Sequence, residues 1–156
     1  MVLVRNIKDV MVLLSNSFEQ ASKTYQVVIG IIKNSKNEVL LSTRCYKSDF
    51  SDCMEFPGGK KQPYESTEMA LKRELKEELS IDVKDLLPMD KFFYEYNSFG
   101  VELFPFVVIN YLGKPVANEK EKIIWVDLED LGKLKIIPGS VSIVQALTEE
   151  ISRERS

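Results

Sequence analysis

Histidine is absent from the chain, and cysteine occurs only twice, at Cys45 and Cys53. A structural zinc site asks for four nitrogen or thiolate ligands, and two thiols without an imidazole do not supply them. Two cysteines do not make a disulfide framework either, so free thiols in a reducing compartment are expected. No apolar run approaches the ~20 residues that span a bilayer. The apolar stretch in residues 1–20 is interrupted by Lys8 and Asp9, and no small-residue cleavage site follows it. Charge of one sign is lacking too, since 21 basic and 24 acidic residues leave a formal net charge of −3. That balance offers no basic face to duplex nucleic acid. The absences together point to a cytoplasmic protein with neither a membrane nor duplex nucleic acid as partner.

What is present reads as one globular domain. The 156 residues, 44% hydrophobic and 29% charged, suffice for one core but not two. Ile7, Val10, Met11, Leu14, Phe18 and Ala21 recur at helical spacing, which predicts an amphipathic helix over residues ~5–21. Its polar positions are not notably basic, so its apolar stripe is expected on the domain or on a second copy, in a monomer or homodimer, rather than on a membrane. Residues 1–24 are thus an N-terminal extension and residues 25–156 the domain proper. TYQVVIGIIK and EVLLSTR, joined by NSKN, predict a hairpin, and KFFYEY with VELFPFVVINYL around NSFG a second. KIIWVDL predicts a further strand, and PGSVSIVQALTEEI a closing helix begun at Pro138. Strands flanking one central and one terminal helix imply an α/β or α+β fold with a mixed sheet.

The central stretch, EFPGGKKQPYESTEMALKRELKEELS, crowds Glu74, Glu77 and Glu78 into five positions. Ser66 suits the N-cap of a helix and Glu68 its first turn, while Leu71, Leu75 and Leu79 supply a buried stripe. The three carboxylates then share one arc beside that stripe, where they repel and raise one another's pKa unless a cation joins them. A hard divalent ion with oxygen ligands answers the problem, and Mg²⁺ suits it because it takes a few carboxylates together with substrate phosphates. Gly58 and Gly59 let backbone approach a ligand closely; a Gly58 carbonyl would complete the ion's shell, and Lys60 would either meet a phosphate or stay solvated. Without that loop, KRELKEEL would read as an ordinary solvated helix face.

Gly59, five residues, Glu65, seven residues, Arg73-Glu74-Leu75, one residue, Glu77-Glu78, one residue and Ser80-Ile81 resemble the Nudix box of the Nudix hydrolases at every fixed position but one. The departure is Ser80, where the family has glycine. The resemblance implies an α/β/α sandwich with a mixed central sheet and a loop-helix-loop metal site, hydrolysing a nucleoside diphosphate linked to another moiety with Mg²⁺, or Mn²⁺ as a substitute. By position it makes Glu77 and Glu78 the main metal ligands, Gly58 a carbonyl ligand, and Glu74 a ligand through water or a base. Glu65 and Arg73 become a buried ion pair bracing the loop that holds Gly59. Family glycine at position 80 implies a left-handed residue at the helix end, which serine tolerates at a cost of roughly 1 kcal/mol.

QVVIGIIKNSKNEVLLSTR, MEFPGGK and IIWVDLEDL followed by IIPGS extend the resemblance to the MutT-type branch, which converts a nucleoside triphosphate to the monophosphate and pyrophosphate. It implies a nucleotide contact at Arg44 and a further metal-site carboxylate or base at Glu119, with Glu121 as the alternative. Enzymes of this branch that remove oxidised guanine nucleotides carry asparagine where this chain has Ser140, and a serine hydroxyl cannot make the same paired contact to a purine edge. Oxidised dGTP therefore stands beside other nucleoside triphosphates, cytidine ones included. Phe56 and Tyr96 are candidates for the base pocket or for simple core. The rival expectations are a Nudix hydrolase of ADP-ribose, dinucleoside polyphosphates or capped RNA, and a nucleotide-binding module without catalysis.

Overall fold

KTYQVVIGII is apolar on both faces over its second half, as a strand covered on both sides must be. In a computed structural model, which describes residues 23–43, 50–119 and 122–156, it forms the inner strand β1 (Lys23–Ile32), buried from Val28 onward. The expected helix over residues 5–21, and Arg44, Cys45 and Glu121, lie outside the described residues.

The chain continues through β2 (Glu38–Thr43), β3 (Met54–Glu55), β4 (Gly58–Lys60) and helix α1 (Thr67–Leu79). Then come β5 (Asp82–Pro88), β6 (Phe92–Glu95), β7 (Phe99–Leu112), β8 (Ile123–Asp127) and helix α2 (Val141–Glu154). A five-stranded mixed sheet runs β4-β1-β7-β5, with β6 also on β7, and a three-stranded sheet runs β3-β2-β8. β1 and β7 lie parallel from Lys23 opposite Phe99 to Ile32 opposite Val108, a pairing that requires the long crossover containing α1.

Alternation along β1 builds two cores. Val28 and Ile32 pack with Leu40, Phe106 and Val108 against Leu71, Leu75 and Leu79 of α1. Ile29 and Ile31 point the other way, with Val39, Leu41 and Leu103, against Ile143, Val144 and Leu147 of α2. Side chains two apart share a face, so one strand serves both helices and the fold is an α/β/α sandwich. Gly30 lies on the α1 side, where an added Cβ would sit 3.1 Å from Leu75.

The expected hairpin KFFYEY–VELFPFVVINYL is formed, with Tyr94 opposite Val101, and so is the strand at KIIWVDL. The other expected hairpin is not. β1 and β2 share a single isolated bridge, Lys33 to Val39, and then diverge into separate sheets. Asn34 explains the parting: its side-chain oxygen accepts from the amides of Lys36 and Glu38, making a tight local turn, after which β2 finds β8 as its partner. Two short strands at Met54–Glu55 and Gly58–Lys60 replace what reads as loop, and IDVKDLLP contributes β5, an unexpected edge strand carrying register shifts between Val83 and Leu86. Before α2, Pro138–Ser140 forms a separate 3₁₀ turn. No helix among the described residues is long and apolar enough to cross a membrane.

Candidate active site

The site begins where β4 meets α1. Gly58 has φ +150, and a Cβ there would lie 2.0 Å from the Val28 carbonyl oxygen, so only glycine lets β4 lie against β1. The Gly30 amide donates to the Pro57 carbonyl at 2.9 Å, fixing the loop on the central strand. Ser66 caps α1 as expected, its hydroxyl accepting from the Met69 amide at 3.1 Å. The helix ends at Ser80 in the left-handed conformation, φ 59 and ψ 27.

This frame aims the carboxylates. Glu78 is only 4% exposed, and its Oε2 accepts from the Gly58 amide at 3.3 Å. Glu74 is enclosed beside Gly59, where a Cβ would come within 2.4 Å of its carboxyl carbon. Burial pushes the Glu74 carboxyl above the ordinary carboxylate range; Arg73 pulls it down without prevailing, and the charges of Glu77 and Glu119 add to the upward push. Glu77 differs: its side chain is 49% exposed.

Arg73 binds Glu65 in bidentate fashion, Nε to Oε2 at 3.1 Å and Nη2 to Oε1 at 2.7 Å. It also donates to the Lys60 carbonyl at 3.2 Å and to Glu74 at 2.8 Å, with Glu77 at 3.5 Å. The pair is partly exposed, 24% for Arg73 and 12% for Glu65, rather than the buried brace expected, because the loop it spans lies at the surface. Arg73 is thus a cation within the carboxylate arc as well as a strut. The Glu65 carboxyl is held down to about 2, first by Arg73 and then by the Gln62 amide, against an ordinary 4.5. A depressed carboxylate stabilises the fold above its unfolded pKa and loses that contribution as pH falls through the folded value. Glu65→Gln is therefore expected to flatten the decline of Tm between pH 4.5 and about 2; an acid limb parallel to that of the wild type would rule the brace out.

A cavity of about 680 Å³ gathers Gly58, Gly59, Lys60, Glu74, Glu78 and Glu119 with Phe56, Tyr96 and Ser140. Of the residues expected from sequence, Glu77, Glu65 and Arg73 do not line it, and Arg44 lies outside the described residues. Among the further lining residues, Tyr25, Phe50, Glu55 and Phe99 carry no distinguishing mark in the sequence. Their only signal is an aromatic or acidic residue in a strand or turn, which core packing explains equally well. Tyr96 stacks on Phe99 with centroids 5.0 Å apart, and its hydroxyl accepts from the Gly139 amide at 3.0 Å. Lys60 Nζ sits 4.0 Å from the Tyr25 ring centroid, a cation–π contact that leaves it at the cavity wall. Ser140 is buried.

Glu55, Glu74, Glu78 and Glu119 line one cavity beside a glycine loop, donor chemistry that suits a hard, oxygen-liganded cation, which would also offset the Glu77 and Glu119 charges that add to the effect of burial on Glu74. Among the described residues no three acidic or thiol side chains stand close enough together to hold a cation as they are placed, so the carboxylates would have to draw in around one.

The chain belongs to the NUDIX domain family, whose sequence model matches residues 23–147, and it is a MutT-like Nudix hydrolase. It is 33% identical over 128 residues to an 8-oxo-dGTP diphosphatase of Haemophilus influenzae, covering 82% of this chain and 94% of that one. It is 30% identical over 124 residues to a CTP pyrophosphohydrolase of Escherichia coli, covering 80% and 91%. A solved MutT structure, from a study of Aliivibrio salmonicida and Vibrio cholerae, superposes with a TM-score of 0.70 at 28% identity, covering 82% of this chain and 99% of that one.

Proposed function

We propose that the protein hydrolyses a nucleoside triphosphate to the monophosphate and pyrophosphate, acting in the cytoplasm with Mg²⁺, for which Mn²⁺ substitutes. The observation that carries this reading is the single cavity in which Glu74, Glu78 and Glu119 face the Gly58–Gly59 backbone while Tyr25, Phe56, Tyr96 and Phe99 line the remainder. Carboxylates that hold a cation serve the polyphosphate, and aromatic faces serve a base by stacking.

Glu74, Glu78 and Glu119 would hold the ion, with Glu77 at its solvent side. Bound there, Mg²⁺ neutralises polyphosphate charge and lowers the pKa of water. The chain's own residues do the rest. Gly58 and Gly59, without side chains, let the phosphates approach the backbone, and Lys60 neutralises a phosphate oxygen. Glu74 and Glu119 are the two carboxylates placed to take the proton from the attacking water. Tyr96, propped by Gly139 and Phe99, orients the base beside Ser140, whose short hydroxyl cannot make the paired donor-and-acceptor contact of an asparagine amide. That favours no strict demand for oxidised guanine, and the relatives include an 8-oxo-dGTP diphosphatase and, separately, a CTP pyrophosphohydrolase.

The test is chromatographic analysis of the products, pyrophosphate release included, from 8-oxo-dGTP, dGTP, CTP, dCTP, ADP-ribose and a dinucleoside polyphosphate, with and without EDTA. Release from a triphosphate, lost in excess EDTA and restored by Mg²⁺ or Mn²⁺, is expected. Turnover unaffected by EDTA would overturn the metal reading, and hydrolysis confined to ADP-ribose or dinucleotides would overturn the substrate class.

A further inference from the structure

An α-helix leaves its last four carbonyls without intrahelical donors, and in α1 all four are satisfied by named groups. The Ser80 amide donates to Lys76 O at 3.1 Å, the Asn118 amide to Glu78 O at 3.0 Å and the Val116 amide to Leu79 O at 3.1 Å. The Asn118 side-chain amide donates to Glu77 O at 3.2 Å and to the Ser80 hydroxyl at 2.6 Å. The exposed segment that follows β7 is thereby stapled across the end of the helix that carries Glu74 and Glu78. It arrives there through Gly113, whose φ of +98 turns the chain so tightly that a Cβ would stand 3.1 Å from the Ser80 carbonyl oxygen. The next residue after Asn118 is Glu119, which lines the same cavity as Glu74 and Glu78.

We infer that Asn118 and Ser80 form a clasp that positions Glu119 against the carboxylates of α1. This rests on the reading of Glu119 as part of the cation site. Neither clasp residue touches substrate; both are positioning residues. Ser80 is also where the sequence departs from the Nudix pattern. A glycine there would relieve the left-handed strain but remove the oxygen that accepts from Asn118, so in this chain the departure has a use beyond being tolerated. The clasp reaches one backbone carbonyl and one hydroxyl from a single side-chain amide, a geometry that neither aspartate nor leucine reproduces, because one lacks the donor and the other lacks both polar atoms.

The experiment measures Mn²⁺ affinity by electron paramagnetic resonance without nucleotide, kcat and KM separately, and Tm in the presence of EDTA. Asn118→Ala is expected to weaken Mn²⁺ binding about 3- to 10-fold, the size of one or two lost hydrogen bonds, and to lower kcat with KM little changed. Ser80→Gly is expected to weaken Mn²⁺ binding about 3-fold while Tm holds or rises, so that stability and cation affinity move in opposite directions. Combining Ser80→Ala with Asn118→Ala should add little to Asn118→Ala alone, because the two share one contact. Asn118→Leu, similar in volume, guards against a loss of packing and is expected to behave like Asn118→Ala. If Glu119→Gln impairs Mn²⁺ binding and kcat while Asn118→Ala and Ser80→Gly leave both at wild-type values, the clasp is overturned and the site reading stands. If Glu119→Gln also leaves both unchanged, Glu119 leaves the site and the clasp falls with it.

Discussion

Glu78→Gln is expected to lower kcat by about 10³-fold or more while the protein still folds. The estimate follows from the proposed role of Glu78 as a direct ligand, since outer partners of a metal site alone cost 10- to 100-fold. Glutamine keeps the shape of glutamate and an oxygen that still accepts from the Gly58 amide, now bound by Glu78 at 3.3 Å. What disappears is a negative charge in a side chain only 4% exposed. Burying a carboxylate is unfavourable without a cation, so Tm measured in EDTA should hold or rise, and the rise in Tm expected on adding Mg²⁺ to the wild type should be smaller in the variant. Glu77→Gln provides the comparison. Sequence position makes Glu77 an equal partner, yet it is half exposed and outside the cavity lining, so its loss is expected to cost less than that of Glu78. Unimpaired kcat in Glu78→Gln would remove that residue from the site, and equal losses in the two variants would restore Glu77 to equal rank.

Gly58→Ala is expected to be the most damaging single change to the fold. The methyl group would meet the Val28 carbonyl 2.0 Å away, in the inner strand on which both cores depend. Because backbone cannot yield as a side chain can, β4 must separate from β1 or the residue must leave φ +150. Strain of ~1–3 kcal/mol and overpacking of similar size together give about 3 kcal/mol or more. For a chain of this length that is roughly 6–12 °C in Tm. Gly59→Ala makes a sharp contrast, since its methyl meets the carboxyl end of Glu74, a flexible group that can move aside. The expected result there is lost activity with a smaller loss of Tm. Gly58→Ala melting like the wild type would contradict the pairing of Ile29 with Gly58.

Arg73 shows how far the residues could be read in advance. The crowding of Glu74, Glu77 and Glu78 signals a cation on elementary electrostatics, and the pairing of Arg73 with Glu65 follows from the resemblance. That the same guanidinium also reaches Glu74 at 2.8 Å and the Lys60 carbonyl at 3.2 Å requires the loop and helix to be placed together. Part of the compensation sought from a bound ion is therefore already supplied by the chain.

Local chemistry and period decided the rest of what sequence could settle. Ser66 as N-cap, the Leu71, Leu75 and Leu79 stripe and the hairpin around NSFG each depend on neighbours within about one turn or one strand pair, and each is present, while the left-handed Ser80 followed from the resemblance. The separation of β1 and β2 into different sheets was decided elsewhere, because β2 has a better partner in β8, some eighty residues on, than in the strand before it. Strand β5 was hidden for the same reason. Its edge position leaves it mostly exposed, so no apolar alternation marks it until β7 lies alongside. Tyr25, Phe50 and Phe99 became cavity walls only once the sheet and turns were assembled, since an aromatic side chain looks alike in a core and in a pocket. Helix, caps and carboxylate spacing are short-range properties that the chain carries residue by residue. Which strand pairs with which, and which side of the sheet remains open to a ligand, depends on competition between distant segments for the same hydrogen bonds and the same buried surface, and only the tertiary structure resolves that competition.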